Sequence, residues 1–143
     1  MEVIICFIEL FLIAAAAFFD IRKKEISLWL LLVMAAVSLG GTAYGLYAGE
    51  RTVFEIVTSL LPGIIMLFIS WITGQGMGYG DGLLVLAISM AFGFYKVVIG
   101  VSIAFFITGL LSVFLIVIKK ANRRDSFPFI PFILLGMVVS MFA

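Results

Sequence analysis

The chain of 143 residues contains no histidine, one cysteine (Cys6) and three prolines, and only 12% of its residues are charged. Without histidine, a Ser-His or Cys-His catalytic couple is excluded within the chain. With a single cysteine, a disulfide framework and a Cys/His zinc centre are excluded as well. No Gly-x-Gly-x-x-Gly register and no Gly-Lys-Ser/Thr is present, which removes the common phosphate-binding loops. What the chain has in excess is apolar surface. Its hydrophobic fraction is 65% and its mean hydropathy +1.35, against about 45–50% apolar residues in soluble domains. The composition predicts an integral membrane protein, a single domain over residues 1–143, with no room for an appended soluble domain.

Six apolar segments can be read along the chain: residues 3–19, 26–47, 53–72, 83–95, 97–118 and 127–143. The first carries Glu2 and no basic residue at its leading end, the wrong charge for a secretory signal, so it is expected to be a retained helix. Pro62-Gly63 predicts a kink in the third. The two prolines at 128 and 131 predict a bent or delayed start of the last. The fourth, thirteen residues long, rises only about 20 Å against a hydrocarbon core of about 30 Å.

Placement of the nine basic residues tests whether that short segment crosses. With six crossings, Arg22, Lys23, Lys24, Lys119, Lys120, Arg123 and Arg124 share one side, while Arg51 and Lys96 lie opposite. Without a crossing at 83–95 the two basic clusters fall on opposite sides and the bias largely vanishes. The positive-inside rule therefore favours an all-α, polytopic bundle of six transmembrane helices with both termini outside. The basic loops are accounted for by this topology and by anionic lipid head groups, so no nucleic-acid partner is expected.

Two features depart from this apolar plan. Glycine stands at 74, 76, 78, 80 and 82. At roughly 1 kcal/mol per position relative to alanine, that density predicts irregular backbone between segments three and four. Asp81 sits within the track, and Asp20, at the end of segment one, is brought to the same cytoplasmic side. Two carboxylates a few ångströms apart share one proton, so that one takes a proton from water while the other donates a hydrogen bond to a peptide carbonyl. Such a pair requires no histidine, metal or cofactor. Loop-end aspartates that are merely solvated remain open as the plainer reading of these residues. Glu9 lies eleven positions before Asp20, within roughly 20° of the same helix face. A carboxylate at that depth is costly, and a protonated Glu9 hydrogen-bonded to a neighbouring helix is the expected arrangement.

Three places together resemble the type IV prepilin peptidases, within the wider class of Gly-x-Gly-Asp membrane aspartyl proteases. They are Asp20 with Ile26 six residues later, Gly78-Tyr79-Gly80-Asp81, and the run Pro128-Phe129-Ile130-Pro131-Phe132. The resemblance implies that Asp20 and Asp81 are the catalytic aspartates, with Gly78 and Gly80 in the loop that receives substrate. It implies an endopeptidase of a prokaryotic cell membrane, its active site facing the cytoplasm, that removes short basic leaders from prepilin-like precursors. Larger members carry a cysteine-rich cytoplasmic insertion associated with methylation of the new amino terminus; with Cys6 alone, this chain resembles a minimal, peptidase-only form. It departs from the family pattern at Ser27, where proline is common, and at Leu83, where lysine is common. Two other classes compete with the peptidase: a proton- or ion-coupled carrier relaying through Glu9, Asp20 and Asp81, and an inactive assembly subunit of a pilus or secretion system. The sequence carries no signal for oligomeric state.

Overall fold

The computed structural model describes residues 2–23, 27–74, 79–118 and 129–142, all of whose regular structure is helical. The helices are α1 (Glu2–Lys23), α2 (Leu28–Tyr47), α3 (Val53–Ser59), α4 (Leu61–Ile72), α5 (Tyr79–Phe92), α6 (Phe94–Val117) and α7 (Ile130–Phe142). Among the described residues, four stretches are long and apolar enough to cross a membrane: Val3–Lys23, Leu28–Tyr47, Val53–Ile72 and Phe94–Val117. The third comprises α3 and α4, which meet at Leu60 just ahead of Pro62. Proline in the first turn of α4 lacks the N–H that would have continued the ladder, which is why the break lies where the sequence predicts a kink.

Burial follows helical spacing. On α1 the buried residues are Cys6, Glu9, Ile13, Ala16, Ala17 and Asp20, a single stripe at intervals of three and four. On α2 the stripe is Leu31, Met34, Ser38, Thr42 and Gly45. Large apolar side chains such as Phe11, Leu32, Phe68 and Phe106 point outward, as lipid-facing surfaces require. By contrast α5 is buried on most sides and touches α1, α2, α3, α4 and α6. It is the central helix, while α7 packs on α6 and α1.

The boundary between α5 and α6 differs from the expected one at Lys96. The chain turns at Gly93, whose φ of 84° is open to glycine and strained for other residues. Its N–H donates to Ser89 O at 2.9 Å and its own carbonyl accepts from Val97 N–H at 3.2 Å, so one residue ends one helix and begins the next. Hydropathy registers the charge at Lys96, but Lys96 is exposed in the first turn of α6 and interrupts nothing. Backbones also approach closely between α4 and α5, at Gly63 and Leu86, and between α6 and α7, where Gly136 lies directly against the backbone of Gly100.

Glu9 is fully buried, and Ser38 Oγ donates to its Oε1 at 2.8 Å. This is the expected hydrogen bond to a neighbouring helix. Glu9 Oε2 has no partner among the described residues. Thr42 Oγ1 donates to Ser38 O at 2.7 Å, which extends the polar contact one turn along α2. Replacing Ser38 by alanine is expected to lower stability by about 1 kcal/mol, the net worth of one buried hydrogen bond. Glu9→Gln, whose amide oxygen still accepts from Ser38, should cost less. Thermal unfolding of both variants in one detergent tests this ordering; a larger loss for Glu9→Gln than for Ser38→Ala would contradict it.

Candidate functional site

Three helix ends meet at one end of the bundle: the C-terminus of α1 and the N-termini of α5 and α7. The helix α1 does not stop at Asp20, as the polar run there suggests, but continues to Lys23. Asp20 is therefore a helical residue on the buried stripe, only 8% exposed. Its Oδ2 accepts the Ile130 N–H at 3.4 Å. Ile130 opens α7, and the next residue, Pro131, has no N–H to offer. The first N–H groups of any helix lack intrahelical acceptors, so Ile130 holds an orphan donor that Asp20 satisfies. Phe129, buried against Phe105 of α6 with ring centroids 5.0 Å apart, anchors the start of α7 where this bond is made.

Asp81 lies in the first turn of α5 and is half-buried. The glycine track is thus not irregular throughout. Gly74 has a positive φ of 60°, residues 75–78 fall outside the described residues, and the chain is helical from Tyr79. Gly82, buried against Leu67 of α4, shows why: packing holds this turn against the poor helix propensity of glycine. An aspartate in a first turn also interacts favourably with the helix dipole. Gly80 is half-buried in the same turn, whereas Gly78 lies outside the described residues, as do Ile26 and the basic residues from Lys119 to Arg124.

Asp20 and Asp81, far apart in sequence, are within electrostatic range of one another. No hydrogen bond or ion pair to the Asp81 carboxylate comes from the described residues. Arg22, one turn from Phe18, is directed over that ring at 4.9 Å from its centroid. Glu9 shares the buried stripe of α1 with Asp20, but it is tied to Ser38 of α2 and is separate from the aspartates. Among the described residues no group of three His, Cys, Asp or Glu side chains converges as a metal would need.

Helix length adds to this geometry. At about 1.5 Å per residue, α5 and α7 are each about 20 Å long, and α1 about 33 Å. Two short helices beginning beside the end of a longer one leave the pair recessed relative to the tip of α1.

A family model described as the type IV leader peptidase family matches residues 6–113. The chain belongs to that family. No curated protein and no solved structure matches it. The match includes Asp20, Gly78, Gly80 and Asp81 and stops before α7, so the Ile130 contact lies outside it. Membership in a leader peptidase family supports a leader peptidase-like function, and with four long apolar helices it makes the chain a membrane protein. The hydrogen bond from Ile130 was not anticipated from the sequence. Its one signal was Pro131, which leaves the first turn of a helix with few N–H groups and makes the remaining one available.

Proposed function

We propose that this leader peptidase family member is an aspartyl endopeptidase in which Asp20 and Asp81 are the catalytic pair. The observation that carries the proposal is the electrostatic proximity of two carboxylates from the ends of α1 and α5 in a chain of this family. One aspartate, ionised, takes a proton from a water molecule. The other, protonated, donates to the oxygen of the scissile carbonyl. The water oxygen adds to the carbonyl carbon, the C–N bond breaks, and the leaving amine receives the proton. Gly78 and Gly80 leave backbone open for an extended peptide beside Asp81. The substrate is a prepilin-like precursor, cut at the end of its short basic leader.

The setting is the cell membrane of a prokaryote, with residues 1–143 forming one domain of six crossings, both termini outside and the aspartates toward the cytoplasm. Two observations support α5 as a crossing. Its first turn lies by the end of α1, and its last turn lies by the loop that follows α2. The seven basic residues at 22–24 and 119–124 then fall on the side of the aspartates.

Two measurements test the proposal. Purified protein incubated with precursors encoded near its gene should release a product beginning after the basic leader, as read by mass spectrometry. Failure to cleave any of them under folded conditions would count against it. A cysteine at Tyr47, which is 92% exposed, should react with an impermeant maleimide added outside cells, and one at Lys120 only after permeabilisation. The reverse pattern would place the aspartates on the wrong side for leader removal.

A further inference from the structure

We propose that Arg51 is a positioning residue for the aspartate pair, acting through the length of α5. This rests on the reading of Asp20 and Asp81 as catalytic. The guanidinium of Arg51 donates through Nη1 to Met90 O and through Nη2 to Ala91 O, at 2.9 Å for the latter. Both acceptors belong to the last turn of α5, whose carbonyls have no intrahelical partners. At about 20 Å, α5 is too short to bring both its ends to the surfaces of a hydrocarbon core of about 30 Å. Its terminal carbonyls therefore need a donor supplied by the protein. A cation is also favoured at that end by the helix dipole.

Arg51 is itself held. Its N–H and that of Glu50 donate to Gly45 O at 3.3 and 2.9 Å, folding the loop over the end of α2. The side chain runs alongside Gly45. The next residue, Thr52, caps α3: its Oγ1 accepts from Glu55 N–H at 3.3 Å, and its N–H donates to the Glu55 carboxylate at 3.2 Å. The fork is thus fixed to α2 and α3 and holds α5 in both depth and rotation. Cys6 of α1 adds a weak contact to the same acceptor, Ala91 O, at 3.7 Å.

The opposite end of α5 carries Asp81, and no hydrogen bond from the described residues orients that carboxylate. Its place relative to Asp20 is therefore inherited from where the helix is set. Among the charged groups on the helices packed around α5, Asp20 is the one that reaches Asp81. Glu9 is bound to Ser38, while Glu55 and Lys96 lie at the Arg51 end. A displacement of about 1 Å at reacting groups costs about a hundredfold in rate.

The test uses the full chain, a prepilin-like precursor and the variants Arg51→Lys and Arg51→Met. A lysine ammonium keeps the charge but lacks the planar fork, so it cannot hold both carbonyls in the same geometry. We expect kcat to fall about tenfold in Arg51→Lys and about a hundredfold in Arg51→Met, with KM changed less than about twofold. The two limbs of the pH–rate profile should also move, because the separation of the aspartates sets both. Spin labels at Ile21→Cys and Leu83→Cys, exposed positions on α1 and α5, should show a shifted or broadened distance in Arg51→Lys. Wild-type kcat, pH limbs and label distance in Arg51→Lys would overturn the proposal, whether or not Arg51→Met folds. Full cleavage by Asp81→Asn with Arg51 intact would instead sink the reading of the catalytic pair, while the label distance would still report whether Arg51 sets α5.

Discussion

Asp20→Asn and Asp81→Asn should each reduce leader cleavage by at least about a thousandfold, while the protein remains folded and inserted. The chemistry proposed for the pair needs one carboxylate to accept a proton and the other to donate one. An amide cannot be the acceptor, and no other described carboxylate stands beside the pair: Glu9 is committed to Ser38 on the neighbouring helix. The double variant should be scarcely slower than either single one, because the second partner of a broken pair has little left to contribute. The wild-type rate should follow a bell in pH, and its two apparent pKa values belong to the pair rather than to either residue. Glu55→Gln serves as the control. Its amide oxygen can still accept from the Thr52 N–H, so the cap of α3 survives and activity should stay within about twofold. Purified double variant that processed a precursor at the wild-type rate would end the aspartyl assignment.

Gly136→Val should be the most damaging substitution away from the aspartates. A β-carbon at Gly136 would come within 2.9 Å of the Gly100 carbonyl carbon and 3.2 Å of its Cα. Those are backbone atoms of a facing helix and cannot rotate aside. Alanine at 136 gains up to about 1 kcal/mol of helix propensity. Overpacking costs about 1–3 kcal/mol, so the clash outweighs that gain, and the larger valine loses more. The consequence reaches the site, because α7 carries the Ile130 N–H that meets Asp20. Unfolding midpoints in one detergent should fall in the order wild type, Gly136→Ala, Gly136→Val, with cleavage falling in the same order. Gly109→Ala, in α6 with no other atom within 4 Å of an added β-carbon, should leave both unchanged or raise the midpoint. Equal midpoints for wild type and Gly136→Val would show that the two helices do not approach as closely as described.

Local sequence was enough for whatever a segment expresses alone. Apolar fraction and run length identified a helical membrane protein, and the stretch 53–72 reappears as one long apolar span. Proline marked the break between α3 and α4 ahead of Pro62 and the first turn of α7, because a missing N–H acts on its own helix. The eleven-residue interval from Glu9 to Asp20 put both on one stripe, and both are buried there. The start of the third segment at Val53 was equally legible, and α3 begins there. Tertiary structure decided the rest. Whether Tyr79–Gly82 is helical depended on Leu67 of another helix, against local propensity. What Asp20 meets depended on α7, whose first N–H it accepts from across 110 positions of sequence. The place of Arg51, a basic residue in a short loop, became meaningful only when the end of a short helix was brought beside it. In lipid, every buried polar group must find its partner within the protein. Those partners lie on helices remote in sequence, and no local pattern names them.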